Sequence, residues 1–275
     1  MNKAEQQEEL LGVPFGRPER WSALLDLIAE HGRLAVKEAA ESLRVSPATI
    51  RRDLDQLARQ QLLQRTRGGA VADNVSYELP LRYKNVRHPN AKLRIGRIAA
   101  SSVGRGAIVA VNGGTTTIEV VRALVARSDL QSNSGTPALT VVTNALNIAN
   151  ELVVRPQVKL VVTGGVARPL SYELIGSLAH PLLEGLAIDF AILGVDALSF
   201  EGGASAHNEG EADISRVMAR RAAAVIIVAD ASKLGRRAFA HICSVDEIDI
   251  LVTDTRPESE LVAPFVDRGV RVINA

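Results

Sequence analysis

The sequence predicts an α/β protein in two parts: a small, largely helical N-terminal part and a larger C-terminal part built on a mainly parallel, Rossmann-like sheet. Three observations carry this reading. Before residue 60, apolar residues recur at helical spacing. In the C-terminal two thirds, short β-branched runs alternate with helical stretches, as strands joined by crossover helices do. Between the two, residues 72–90, ADNVSYELPLRYKNVRHPN, are polar, carry two prolines and show no period, so they read as a linker. With 275 residues and 47% hydrophobic content, the chain has material for one large core and a small satellite.

Residues 1–17 lack the basic start and apolar core of a secretory signal and read as a disordered lead-in. Residues 18–71 then hold three helices and a hairpin. The first helix, ERWSALLDLIAEHG, stops at Gly32; VKEAAESLR is the second. The third lies in VSPATIRRDLDQL, where Ser46 suits the cap and Pro47 the first helical position, at which a missing N–H costs nothing. Ile50, Leu54 and Leu57 define its buried face, while Ala48, Thr49 and Arg52 fall opposite, with Arg51 on the flank. Leu24, Leu25, Ile28, Ala39 and Leu43 complete a small core, and the RVS connection sets the second and third helices at a helix-turn-helix angle. A formal net charge of +1 excludes a protein that coats nucleic acid over its whole surface. From Arg44 to Arg67, however, six arginines stand against two aspartates, Asp53 and Asp55, which makes a local basic patch. In LLQRTRGGAV the glycines suit the tip or edge of a wing, with Arg65 and Arg67 where a wing meets phosphate.

In residues 91–275 the runs AIVAVN, LTVVTN, VKLVVTGG, DFAILGVD, AVIIVAD and IDILVTD are nearly all apolar and end in polar residues or glycine. Central parallel strands whose carboxyl ends open onto a site have this pattern. One such end, VNGGTTTIEVVRAL, runs through Gly113, Gly114, Thr115, Thr116 and Thr117 into a helix. Glycines permit close backbone approach, and the free amides of a helix start, with threonine hydroxyls, suit a phosphate. No lysine follows the glycines as in a Walker A loop, and the spacing is not GxGxxG, so this segment alone reads equally as a helix cap. The other strand ends add Asn144 in VTNAL, Gly164 and Gly165 in VTGGV, Asp196 in LGVD, Gly203 and Glu211 in GGASAHNEGE, and Lys233 in VADASKLG. Lys233 would bring a point charge to a phosphate, and Asn144 and Asp196 would bind hydroxyls. His207, Glu209, Glu211 and Asp213 invite a metal or acid–base reading. No second His or Cys lies at zinc-like spacing, and a polar loop opening a helix is the stronger reading. Cys243 is the single cysteine, which rules out an intramolecular disulfide and suits a small buried residue. The longest apolar run, Ala222 to Ala229, is far short of a membrane span, which predicts a soluble, cytoplasmic protein with no membrane contact.

Taken in order from Arg20 to Asp254, VSPATIRRDL, RTRGGA, GGTTT, VVTNAL, VTGG, ILGVDAL and DASKLG resemble the DeoR type of bacterial transcriptional regulator. The resemblance implies a winged helix-turn-helix on residues 18–71 and a sugar-phosphate effector domain, phosphosugar isomerase-like in fold, on residues 91–275. It implies a sequence-specific DNA-binding regulator, most often a repressor of a carbohydrate catabolic operon, with no cofactor, no metal and no turnover. Implied partners are double-stranded operator DNA, a phosphorylated sugar, and further copies of the chain in a dimer or tetramer. The third helix would enter the major groove by its N-terminal end, offering Ser46, Pro47, Ala48, Thr49, Arg51 and Arg52 to bases and phosphates, with Arg65 and Arg67 on the wing. The effector would be held by Gly113, Gly114, Thr115, Thr116, Thr117, Asn144, Gly164, Gly165, Asp196, Gly203, Glu211 and Lys233. Thr66 and Gln61 depart from the family, which often has His and Gly there. The C-terminal part is also similar to ribose-5-phosphate isomerases and aminosugar-phosphate deaminases, leaving an enzymatic alternative with Glu209 or Glu211 as general base. Against it, Glu201 precedes Gly202 and Gly203 where the isomerases have Lys, and a carboxylate there would destabilise a developing enediolate.

Overall fold

The computed structural model describes residues 16–60, 62–71, 81, 87–131 and 136–275. These residues form two compact units that divide between Arg87 and His88. Of the expected lead-in only Gly16 and Arg17 are described, and Arg17 already begins a helix; Gln61 and most of the expected linker lie outside the described residues.

The first unit runs α1 (Arg17–His31), β1 (Arg33–Ala35), α2 (Val36–Ser42), α3 (Pro47–Arg59), β2 (Gln64–Thr66) and β3 (Gly69–Val71). Gly32 ends α1 in the left-handed region at φ 71°, and its N–H returns to the Ile28 carbonyl. The eight core residues expected from spacing are all buried, joined by Trp21, Leu34, Leu62, Leu63 and Ala70. Strand β1 is not among the expected elements. Three residues are too short to show a period, and the segment is a strand only because it pairs with β3, in the order β1–β3–β2. Asp53 also departs from expectation. Rather than offsetting the surface arginines, it is 3% exposed and accepts from Arg20 at 2.5 and 3.1 Å and from the Trp21 indole at 2.7 Å, tying α3 to α1.

The second unit runs α4 (Pro89–Ser101), β4 (Ile108–Val111), α5 (Thr117–Ala126), β5 (Leu139–Thr143), α6 (Leu146–Leu152), β6 (Val158–Val162), β7 (Val166–Arg168) and β8 (Glu173–Ile175). It continues through α7 (His180–Glu184), β9 (Ile188–Gly194), β10 (Ala197–Ser199), β11 (Gly203–Ala206), α8 (Glu209–Arg221), β12 (Ala222–Val228), β13 (Ala240–Cys243), β14 (Ile250–Thr253), α9 (Ala263–Asp267) and β15 (Arg271–Asn274). α4 begins at Pro89, inside the span read as linker. Seven strands pair in parallel in the order β15–β14–β12–β9–β4–β5–β6. Six of them coincide with the six apolar runs. β15 and the two small antiparallel sheets, β7–β8 and β10–β11–β13, were not legible as strands.

Alternate residues of the central strands face opposite ways, as the pleat requires. Val109, Val111, Val141, Ile192, Ile226 and Val228 pack with Ile95, Val121, Leu124, Ile148 and Leu152 of α4, α5 and α6. Ala110, Val142, Ala191, Leu193, Val225 and Ile227 pack with Leu183, Ile214, Met218 and Phe265 of α7, α8 and α9. Each fully buried aliphatic side chain contributes about 1.5–3 kcal/mol, so this sheet sandwiched between helices is the stable frame of the unit. The chain enters the sheet at β4, walks outward to β6, then returns to β9 on the other side of β4 and walks to β15. Between β4 and β9 the direction reverses, and a parallel sheet opens a crevice at the carboxyl ends of the strands at such a point.

Candidate functional site

In the first unit the exposed feature is the start of α3. Ser46 caps it, its Oγ accepting the Thr49 N–H at 3.1 Å and lying 2.9 Å from the Thr49 hydroxyl. These two side chains therefore hold the helix end. Pro47, Ala48, Arg51 and Arg52 are exposed beside them, and neither arginine has a hydrogen bond or ion pair among the described residues. Arg67, in the β2–β3 turn, is likewise exposed and unpaired among them. Arg65 differs: its Nε donates to Asp55 at 2.8 Å and its Nη1 to the Gly69 carbonyl, so it braces the wing against α3. Of the two wing glycines, only Gly69 is sterically required, because a Cβ there would strike the Leu34 carbonyl of β1. With Asp53 inside and Asp55 engaged by Arg65, the outer face of α3 and the wing is more basic than a count of residues suggests.

In the second unit the switch point between β4 and β9 gathers most of the residues expected there. Asn112 locks its base: the side-chain amide donates to the Gly194 carbonyl at 2.9 Å and the Ser215 hydroxyl at 3.0 Å, and its oxygen accepts the Gly194 N–H at 2.8 Å. The loop then passes through Gly113, Gly114 and Thr115 into α5, where the Thr117 hydroxyl donates back to the Gly114 carbonyl at 3.2 Å. The first turn of any helix leaves N–H groups without helical acceptors, so this loop presents donors. Asn144, at the end of β5, is fully buried. Its amide donates to Glu173 at 2.9 Å and to the Leu174 carbonyl at 3.2 Å, and its Oδ1 has no partner among the described residues.

Glu173 sits at the centre of this cluster, and no sequence signal marks it. It opens a three-residue strand in SYELIG, a segment without period or motif. Only 5% exposed, its side chain occupies the space a Cβ on Gly113 would need, and the Gly113 amide donates to its carboxyl. Gly113 thus makes room for Glu173, a close approach of a side chain that the sequence does not show. Burial, then the charge of Glu211, push the Glu173 carboxyl up to about 8, against the opposing hydrogen bonds from Asn144 and Gly113. Glu211 is buried and takes a 2.9 Å hydrogen bond from Arg168, a cation that the sequence reading also missed.

Asp196 accepts the His207 N–H at 3.0 Å and lies 3.9 Å from Lys233 Nζ. Burial raises the neighbouring Asp230 carboxyl, but the Ser232 hydrogen bonds and the charge of Lys233 outweigh it and hold the group below the usual carboxylate range. Gly165, with φ 138°, packs where a Cβ would crowd the Ile175 backbone, and Gly164 lies against Leu178, so both shape the β6–β7 turn. Gly203 is placed elsewhere. It pairs with Ser199 at the far end of the β10–β11 hairpin from Asp196, whose N–H bonds to Ser205, and a Cβ there would strike the Cys243 carbonyl. It does not line the strand-end cluster.

The AHNEGEAD segment resolves into a helix start: Asn208 caps α8, accepting the N–H groups of Gly210 and Glu211. Among the described residues, no three His, Cys, Asp or Glu side chains are grouped to hold a metal ion. Cys243 is buried, which pushes its thiol up to about 12 and leaves it inert. No described helix is long and apolar enough to cross a membrane.

Comparison with known proteins adds to this geometry. A family model described as the DeoR C terminal sensor domain matches residues 87–255, and one described as a DeoR-like helix-turn-helix domain matches residues 20–75. The chain is 34% identical to the HTH-type transcriptional regulator GlpR of Haloferax volcanii, over 93% of its own length and 97% of that protein's. It is 29% identical to the glycerol-3-phosphate regulon repressor of Escherichia coli (strain K12), over 92% and 97%. Among solved structures, ribose 5-phosphate isomerase A from Methanocaldococcus jannaschii matches 53% of this chain and 54% of its own, at 16% identity and a TM-score of 0.38.

Proposed function

The chain belongs to the DeoR family of DNA-binding transcriptional regulators, and on that premise we propose that it represses a carbohydrate catabolic operon and is released from its operator by a phosphorylated sugar or polyol. The observation that carries the effector half of this reading is the convergence at one switch point of the glycine–threonine loop, Lys233, and the polar set Asn144, Asp196 and Glu211. A phosphate at the start of α5 meets the amides of this loop and the hydroxyls of Thr115 and Thr116, with Thr117 holding the loop and Lys233 as counter-charge. Sugar hydroxyls donate to Asp196, Glu211 and the Asn144 oxygen. The name of the Escherichia coli relative supports a small phosphorylated polyol or sugar as the class.

On the DNA side, α3 enters the major groove with Pro47, Ala48, Thr49, Arg51 and Arg52 leading, Ser46 caps the helix, and Arg67 meets backbone phosphate from the wing. Arg65 acts mainly through the bonds that hold the wing in place. One such unit covers a single half-site, so the working form is a homo-oligomer, a dimer or tetramer acting in the cytoplasm, whose paired units multiply affinity through effective concentration. Effector binding favours an arrangement that no longer matches the half-site spacing. Each hundredfold loss of operator affinity requires about 2.7 kcal/mol of coupling, and by reciprocity operator DNA weakens effector binding equally. The second unit binds without turnover: Gly202 and Gly203 follow Glu201, and Gly203 lies against the Cys243 backbone.

Thermal unfolding against a panel of sugar and polyol phosphates and their unphosphorylated parents tests the effector half, because a ligand of the folded state raises stability by mass action. A shift from a phosphorylated compound that its parent does not produce, lost in Lys233→Ala, is the expected result. No shift from any member overturns the reading.

A further inference from the structure

The buried carboxyl at the centre of this side-chain cluster has no assigned part in it, and any part in ligand binding rests on the sugar-phosphate reading. We propose that Glu173 is an effector-contacting residue whose carboxyl enters the complex with its proton and donates a hydrogen bond to the phosphorylated ligand, so that ligand and proton bind together.

Glu173 lies against Gly113, the first glycine of the loop, and receives the Gly113 amide and the Asn144 amide. It has no ion-pair partner among the described residues: Arg168 is bound to Glu211 and Lys233 lies beside Asp196. Glu173 from β8 feels the charge of Glu211 from α8 and, more weakly, that of Asp196 from the segment after β9, while Arg168 of β7 is engaged by the second and Lys233 lies beside the third. A buried carboxyl under the charge of two others, with no ion-pair partner among the described residues, keeps its proton, and a protonated carboxyl supplies an O–H donor while still accepting from its two amide neighbours. The value of about 8 set by burial and Glu211 agrees with this geometry. A second observation points to a ligand. The Asn144 amide nitrogen is committed to Glu173 and Leu174, which fixes its oxygen as a fully buried acceptor without a partner among the described residues. An acceptor oxygen beside a proton-bearing carboxyl fits a ligand that brings hydroxyl donors and a phosphate acceptor, and does not suit a second carboxylate.

Placing a dianionic phosphate in the same loop makes ionisation of Glu173 less favourable still, so the complex binds protons more tightly than the free protein. Linkage then requires proton uptake on binding above pH 8 and an affinity that falls as pH rises, by at most tenfold per unit. Phosphate itself is fully dianionic at that pH, so it does not contribute in this window.

Isothermal titration calorimetry of the full chain at pH 8.5, in buffers of different ionisation enthalpy, reads this directly. The probes are glycerol 3-phosphate with 3-phosphoglycerate, and sorbitol 6-phosphate with 6-phosphogluconate, each pair differing only by a carboxylate in place of a hydroxymethyl group. The polyol phosphate that binds is expected to take up about three quarters of a proton per site, to lose about fivefold in affinity from pH 8 to 9, and to bind at least about tenfold better than its acid partner. In Glu173→Gln the proton uptake disappears and the pH profile flattens. Binding to the wild type without proton uptake overturns the proposal and leaves the sugar-phosphate reading standing, as does proton uptake that persists in Glu173→Gln. Failure of every phosphorylated probe to bind the wild type overturns that reading, and this proposal with it. The wild-type proton inventory stands even where the variant fails to fold.

Discussion

On α3, Arg51 and Arg52 are exposed and unpaired among the described residues, whereas around the strand ends of the second unit the carboxyl groups of Glu173, Glu211, Asp196 and Asp230 are buried or half-buried, each with a named hydrogen-bond donor. The contrast follows from what each surface meets. A polyanion brings its own charge and releases counterions, so the cations that face it are most useful when unengaged. A small ligand meets side chains that are already buried, where an unpaired charge is costly and where partners must be set in advance. Even within the first unit the distinction holds: Asp53 is internal and ties two helices together, while Asp55, two residues on, makes a surface pair with Arg65.

The largest effect that tests this contrast belongs to the buried aspartate. Asp53→Ala leaves Arg20 and the Trp21 indole without their acceptor, and urea unfolding should show a loss of about 3 kcal/mol in the first unit. Arg51→Ala with Arg52→Ala should leave unfolding unchanged but weaken operator binding by about a hundredfold and reduce its salt dependence by about two phosphate contacts. A stability loss in this double variant would mean that the arginines serve the fold.

The third effect is one of pH. The Glu173 carboxyl in the folded chain sits near 8, above its ordinary 4.5, so the folded state holds a proton that the unfolded state releases between those values. Its contribution to stability is full below pH 4.5 and is lost as pH rises through 8. Glu173→Gln should therefore remove part of the decline in stability of the wild type between pH 5 and pH 8.5; parallel profiles would mean that the carboxyl is already ionised in the folded state. The smallest effect belongs to Asp55→Ala, whose exposed pair is worth less than about 1 kcal/mol, and a larger loss would erase the contrast with Asp53.

Where spacing repeats, the sequence was legible. Six central strands follow from unbroken apolar runs, and the buried face of α3 from Ile50, Leu54 and Leu57, because periodicity is a local property. β1, β7, β8 and β10 are three residues each and exist only through their partners, which no window of sequence contains. For the same reason Asn144, Asp196 and Lys233 were found at strand ends, while Glu173 and Arg168, carried by the β7–β8 hairpin, were not. Gly203 was misplaced because a glycine that makes room for the Cys243 carbonyl looks, in one dimension, like a glycine that makes room for a ligand.

If the second unit is the sensor of a repressor, its occupancy must govern operator binding by the first. Fluorescence anisotropy of an operator duplex selected with the full chain, titrated with the sugar or polyol phosphate that stabilises the protein and separately with its unphosphorylated parent, measures this. The phosphorylated compound should release the duplex, with Lys233→Ala remaining bound at the same concentration, and the parent should do nothing. Operator affinity that is the same with the second unit empty and saturated would contradict the proposed switch.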